Sequence, residues 1–560
     1  MPFLTWLGAD QVRYLAISQT ALLLVAVTAV AGALSPRLGA WLASRRGIVV
    51  FFALVFFALV ASRWPSLFVT SVFSHDEGEF VAEANTALHY PIPWLDFDPQ
   101  TAGPLNAFLL VVPGLFGAHL DYFVCRATTI LLEFGTFAAL YAAAALCFDA
   151  AIARLAIVPP LVFWAVALRE EFVHLGSEHL PIFLGTVMLA LICWAWRRGF
   201  PLFLVFLIGF VGGMMPFGKL QSVPLDAANV VVTALLLSLS PGLRLRARFA
   251  RLGMLAFGLL FFPFITIEVV TFAGGFRDFW FRYIETSLAY IDAIMPPVTF
   301  LTATDEFAPF FDWLGMVTIA GGIVIFFSKP PRAIRYIYVA ALIMLPGAIE
   351  TIDSPGRPDP NYLLFAVVPV TAAATAALAA ITWSLGGNVR AGQRRGVVAA
   401  VFVALCLFVQ GAVARGGYTW IAPVLAAYER GGHLDPVAIA ISQDLRPGER
   451  LAIWGYTPEY SMYTSTALGT RDPTCLWQFI DFPNPNRDYY RESYVRDFSQ
   501  SRPEGFLDSG PDSWDHNGGM QSGYESFPEL AALVKSDYIL KSSWFRLRFF
   551  IRRDLWTRQL

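Results

Sequence analysis

Long apolar runs broken by short polar loops fill roughly the first three quarters of the chain. They fall near 15–34, 48–62, 104–117, 126–147, 155–168, 180–196, 200–217, 225–240, 252–272, 313–327, 335–349, 362–383 and 396–414. A helix crossing a bilayer needs about 20 such residues, with a range of about 17–25. The succession predicts a polytopic α-helical membrane protein with about 12–13 spans. The 14 residues from Pro104 to Gly117 are short for a span and predict a re-entrant or tilted helix.

After residue 415 the pattern changes. LDPVAIAISQDL has helical amphipathicity, ERLAIWGY is compatible with a short buried strand, and TPEYSMYTSTAL predicts another helix. Residues 481–526, rich in Pro, Asn, Asp, Ser and Gly, predict loops. FPELAALVKSDYILK predicts a helix and a strand, and WFRLRFFIRR alternates as a strand does. The expected organisation is a transmembrane domain over 1–415, with a first extramembrane loop at 63–103, followed by a small α/β domain over 416–560.

Composition agrees with the membrane assignment. The chain is 56% hydrophobic and only 15% charged, against about 25% charged in soluble domains. A net charge of −2 without a polybasic tract gives no indication of nucleic acid. Basic loop residues set orientation. Arg37/Arg45/Arg46, Arg197/Arg198, Arg244–Arg248, Lys329–Arg335 and Arg390–Arg395 are assigned to the cytoplasm. Residues 63–103, 273–312, 350–361 and everything after 415 then face the opposite side. The N-terminal MPFLTWLGADQVRYL lacks a basic region leading into a cleavable apolar stretch, so no removable signal peptide is expected. Cys475 is the lone cysteine of the polar C-terminal part, which therefore cannot form an internal disulfide.

Within this apolar chain, SHDEGEF (Ser74–Phe80) is unusual: a histidine and three acids directly after a predicted span. Capping accounts for one or two of the acids, since carboxylates in a first helical turn contribute about 0.3–1 kcal/mol each. It leaves the following run, PIPWLDFDPQTAGPLNAFLL with Asp96 and Asp98, without a reason to lie against a bilayer. REEFVHLGSEHL places Glu178 between two spans, and PFGKLQSVP places Lys219 and Gln221 between two others. Lys219 is one of four lysines in the chain. A lysine at such a position either snorkels to the interface or serves a functional site.

These motifs, in this order, resemble the GT-C glycosyltransferases. The nearest group is the bacterial branch similar to protein O-mannosyltransferases and the lipid A aminoarabinose transferase. The likeness rests on Asp76-Glu77 after the first loop's span, the D-x-x-x-x-G-P-L run from Asp98, Ser177-Glu178, Pro216-x-x-Lys219-x-Gln221, the late loop GRPDPNYLLFAVVP, and WGYTPEYSMYTSTALGTRDP in the tail. It implies a bacterial inner-membrane enzyme, active on the periplasmic face, that inverts configuration. Such an enzyme moves a sugar from a polyprenyl-phosphate donor to an acceptor hydroxyl on a cell-envelope glycan, lipid or protein. It further implies Asp76 as general base with Glu77 beside it. Lys219, Arg357 and Gln221 would hold the donor phosphate, and Glu178, Asp98, Tyr362 and His75 would position substrate. Asn361-Tyr362 departs from the family's frequent His-Tyr, so no histidine's role passes to that position.

No cofactor is expected. A hard divalent ion on carboxylates is a weaker expectation, with His174 and Glu178, four residues apart, as conceivable ligands alongside Asp76. The rival expectation is a transporter or lipid flippase using the same charges as a relay. Transporter charges cluster near the bilayer midplane, often in paired half-repeats. Here they gather in loops assigned to one face, and no repeat is visible.

Overall fold

The structure is a computed structural model that describes residues 11–69, 72–240, 242–292, 307–356, 359–386, 393–409, 435–479, 486–510 and 523–559. Among these, nine helices are long and apolar enough to cross a membrane: Val12–Leu34, Arg45–Leu67, Tyr122–Cys147, His179–Arg197, Leu220–Ser238, Leu245–Phe272, Ala308–Ser328, Arg332–Asp353 and Pro360–Ser384. Three shorter apolar helices accompany them, Leu105–Leu115, Ala150–Val166 and Leu202–Gly218. The polytopic helical architecture stands. The 11 residues of Leu105–Leu115 rise only about 16 Å, roughly half of a hydrocarbon layer.

The chain packs as two compact units. The first comprises 1–69, 129–264 and 295–431; the second comprises 70–128, 265–294 and 432–560. Contacts thus group the first loop and the segment before residue 295 with the C-terminal residues.

In the first unit, Pro360–Ser384 is the most enclosed span, with Leu363, Phe365, Ala373, Ala374, Ala376 and Ala377 all buried. Its alanine-rich surface admits close neighbours, as small residues do between membrane helices. Van der Waals packing dominates here, because lipid offers no hydrophobic drive between helices.

The second unit is built around a five-stranded mixed sheet. Strands β1 (Arg450–Trp454), β2 (Ala467–Leu468), β3 (Gly505–Asp508), β4 (Tyr538–Trp544) and β5 (Leu547–Arg552) lie in the order β2-β1-β3-β5-β4. β1 is parallel to β2 and β3, whereas β5 is antiparallel to both β3 and β4. Alternate side chains point to opposite faces of a strand, and both faces are covered. Leu451, Ile453, Leu507 and Phe549 pack against helix Pro436–Asp444 through Val437, Ala438 and Ile441. Ala452, Trp454, Phe506 and Phe550 meet Tyr494, Phe498, Leu530 and Val534. The small α/β region expected at the C-terminus is present.

One expectation fails. Residues 481–526 contain helix Arg487–Ser501 and strand β3 rather than loops alone. RDYYRESYVRDFSQS is so polar that its fully buried rings reduce to Tyr490, Tyr494 and Phe498, spaced four apart. That spacing is one helical face, and all three rings are buried.

Candidate functional site

Of the residues expected at a site, Glu178, Lys219, Gln221 and Tyr362 belong to the first unit, and His75, Asp76, Glu77 and Asp98 to the second. Arg357 lies outside the described residues.

In the first unit, Lys219 follows the end of helix Leu202–Gly218 in extended conformation, and a short 3-10 turn, Leu220–Ser222, leads into the next span. Pro216 removes one regular hydrogen bond near that helix end, and Pro224 stands in the first turn of the next helix, where no such bond is lost. The lysine side chain is therefore placed by backbone rather than left to wander. Its Nζ donates to the Glu178 carboxylate and, at 2.9 Å, to Ser177 Oγ. The Tyr362 ring presents its face 4.8 Å from the same nitrogen, within cation–π range. Burial works to raise the Glu178 carboxyl, but the Lys219 ammonium outweighs it and holds the group down at about 2. Glu178 stays ionised across neutral and mildly acidic pH. Gln221 is aimed differently: its Nε2 donates to the Thr351 carbonyl at 2.5 Å and ties this turn to helix Arg332–Asp353.

A second buried group braces the same segment. Arg63 Nη1 donates to the Phe172 carbonyl at 2.7 Å, and Nη2 donates to Glu133 Oε1 at 2.9 Å. His179 Nε2 lies 3.7 Å from that oxygen. Arg63 and Glu133 each sit within a span. Their pairing fixes both the stretch leading to Glu178 and the residue directly after it.

In the second unit, Ser74 caps helix His75–Ala87, its Oγ accepting from the Asp76 N–H at 3.2 Å. Asp76 stands in the first turn, half-buried, while Glu77 points inward and is fully buried. Arg126 grips Glu77, with Nε 3.1 Å and 3.2 Å from the two carboxylate oxygens and Nη2 2.8 Å from Oε2. Such bidentate pairing gives strength and orientation together. Adjacent acids thus divide: Glu77 anchors the helix, and Asp76 keeps partial access to solvent.

Asp98 is also an anchor. It is fully buried with Arg282, whose Nη1 donates at 2.6 Å to both Asp98 Oδ2 and Asp472 Oδ1. Arg282 sits in a π-helical turn, Trp280–Glu285, which widens the backbone locally. Burial pushes the Asp472 carboxyl up to about 6, with the Arg282 guanidinium opposing the rise and the neighbouring Asp98 charge adding to it. Next to this network Arg471 holds Asp497 with Nε at 2.6 Å and the Trp94 carbonyl with Nη1 at 2.6 Å. Trp94 occupies the left-handed region at φ 62°, a conformation costing a non-glycine residue about 1–2 kcal/mol.

The tail reaches the Asp76 turn. His75 Nδ1 lies 3.3 Å from Glu459 Oε2, and the Tyr456 ring centroid is 4.7 Å from the His75 ring. A Cβ on Gly78 would meet the Glu459 nitrogen at 2.8 Å, so only glycine allows this approach. Burial opposes protonation of His75, but the Glu459 carboxylate raises its pKa above the usual histidine value. A raised histidine stabilises the fold fully below its unfolded pKa, about 6.5, and loses that contribution as pH rises through the folded value. The thermal stability advantage of wild type over Glu459→Gln is therefore expected to shrink between pH 6 and pH 8. A constant gap would contradict this account of the pair.

Glu79 and Glu83 continue inward along the same helix and are buried; burial raises both carboxyls well above the usual range. Among the described residues no group of three or more His, Cys, Asp or Glu is placed to hold a metal ion.

The chain is similar to ArnT from Cupriavidus metallidurans in the apo state, at TM-score 0.51 and 16% identity, covering 90% of this chain and 98% of that one. The fold is GT-C-like. The ArnT structure bound to undecaprenyl phosphate matches over the same shares, at TM-score 0.50 and 16% identity. The Archaeoglobus fulgidus oligosaccharyltransferase tethered to an acceptor peptide matches at TM-score 0.45 and 13% identity, over 84% of this chain and 69% of that one. No family model and no curated protein match the sequence. Within this GT-C-like chain the bracing residues Arg63, Arg126, Glu133 and Glu459 escaped the sequence reading. Arg63, Arg126 and Glu133 left one trace there, as single charges at the ends of or inside apolar runs.

Proposed function

We propose that this protein is an integral-membrane glycosyltransferase, transferring a sugar from a polyprenyl-phosphate-linked donor to an acceptor hydroxyl with inversion. The observation that carries the reading is the Lys219 site. A lysine beside Tyr362, Glu178 and Ser177, fixed where two apolar helices meet, suits a phosphate whose lipid tail stays in the membrane. The likeness in fold to ArnT, one structure of which holds undecaprenyl phosphate, supports the same donor class.

In the proposed reaction the acceptor oxygen attacks the anomeric carbon and gives its proton to Asp76. The bond from that carbon to the phosphate oxygen breaks, and polyprenyl phosphate leaves with the electron pair. Lys219 counters the charge that grows on the leaving phosphate, as preorganised cations do. Arg357 is proposed as a second phosphate contact. Glu77, Asp98 and Glu178 act by holding these parts in position, and Gln221 steadies the turn that carries Lys219. The proposed setting is a bacterial inner membrane with the site facing the periplasm, where the acceptor belongs to the cell envelope.

Binding tests the carrying observation. Wild-type protein in nanodiscs is expected to bind undecaprenyl phosphate and to discriminate against undecaprenol. Lys219→Met is expected to weaken that binding by about 10- to 100-fold, the loss of a charged hydrogen bond. Equal affinity of wild type for phosphate and alcohol would overturn the assignment.

A further inference from the structure

Two thiols meet in the first unit, and the proposed reaction uses neither. Cys147 is the last residue of helix Tyr122–Cys147, and Cys193 lies four residues before Arg197 at the end of helix His179–Arg197. Cys193 is 5% exposed, and half-buried Cys147 packs against the same core cluster. The two side chains lie within hydrogen-bonding reach of each other. Both are unbridged.

Both thiols line one cavity. Leu140 and Ala143 wall it on the first of these helices, Leu189 on the second, and Leu236, Ala340 and Ala372 on three further spans. Inside it the centre of a water-sized sphere can range over about 40 Å³, several times the roughly 10–15 Å³ that one water needs. Thr375 supplies the one hydroxyl among its lining residues, so water finds few partners there. The space gives the sulfur atoms room to close from contact to an S–S bond of about 2 Å, a movement that a close-packed core would resist. A soft monovalent metal on two thiolates would leave net charge in this apolar setting, whereas a disulfide carries none.

We propose that Cys147 and Cys193 form a redox site, which a lipid-soluble quinone oxidises to a disulfide joining the ends of these two helices. Both S–H bonds break and one S–S bond forms. Two electrons and two protons pass to the quinone, whose two carbonyl oxygens become the hydroxyls of a quinol. Charged oxidants such as glutathione disulfide stay in water, whereas an uncharged quinone dissolves in the bilayer and can reach half-buried Cys147 through it. The cross-link closes a loop that carries Glu178, the partner of Lys219. The inference itself draws on neither the donor nor the acceptor assignment.

The test uses full-length protein in nanodiscs, fully reduced and then exposed to decylubiquinone. Wild type is expected to lose two of its five maleimide-reactive thiols, counted after unfolding, and to yield about one quinol per chain. Peptide mapping should find Cys147 linked to Cys193, and dithiothreitol should restore both thiols. Diamide, confined to the aqueous phase, should oxidise the pair more slowly. Cys147→Ser and Cys193→Ala should each keep every remaining thiol reactive under quinone. Five reactive thiols on quinone-treated wild type, or a link through Cys125, Cys406 or Cys475, would overturn the proposal. Faster oxidation by diamide than by decylubiquinone would overturn the assignment of the oxidant.

Discussion

Asp76→Asn is expected to lower the rate of sugar transfer by about 10²–10⁴-fold, the usual contribution of a positioned general base. The substitution is nearly isosteric. It leaves the Ser74 cap intact, because that bond is made by the backbone N–H of residue 76 and not its carboxylate. The buried Glu77–Arg126 pair is likewise untouched. Donor binding should stay within a few-fold of wild type, and the thermal unfolding profile should be unchanged. Radiolabelled transfer and donor binding, measured on the same preparation, separate a lost base from a lost fold. Transfer at the wild-type rate would remove Asp76 from the mechanism.

The largest effect on stability is expected from Arg282→Met. Arg282 holds Asp98 and Asp472, all three essentially without exposed surface. Removing the cation leaves two buried carboxylates without it, and breaking one buried pair costs about 3–5 kcal/mol. Ser493 also loses its contact with the guanidinium. The second unit should then open to limited proteolysis and hydrogen exchange in strands β1 and β3. A triple variant, Asp98→Asn with Asp472→Asn and Arg282→Met, should recover part of the loss, because buried amides cost less than buried charges. Unchanged exchange in Arg282→Met would show that the network contributes nothing to this unit.

These two expectations separate what the chain discloses in its order from what only packing discloses. Membrane spans were legible because bilayer thickness imposes a length and a composition on each helix. Strand β1 was legible as the short continuous apolar run RLAIW, and β5 through the alternation that leads into it in WFRLRFFIRR. Helix Arg487–Ser501 was not, since Tyr490, Tyr494 and Phe498 supply its buried face amid charged neighbours. Asp76, Glu178 and Lys219 drew attention as charges beside apolar runs, which is where the bilayer makes charge expensive. Their partners did not. Glu77 and Arg126 are 49 positions apart, Arg63 and Glu133 are 70, and His75 and Glu459 are 384. No local pattern marks such pairs. Asp98, expected to position substrate, is paired with Arg282, and Gln221, expected at the donor phosphate, donates to the Thr351 carbonyl; neither partner is visible in the local sequence.

The account depends most on a lipid-phosphate sugar being the donor. Purified protein in nanodiscs, supplied with radiolabelled polyprenyl-phosphate sugars and a membrane extract, measures this directly. The account predicts label moving from the chloroform-soluble donor to an acceptor in wild type, release of polyprenyl phosphate in equal amount, and neither in Asp76→Asn. Label that remains on the donor for every sugar tried, or that changes leaflet without leaving its lipid, would contradict it.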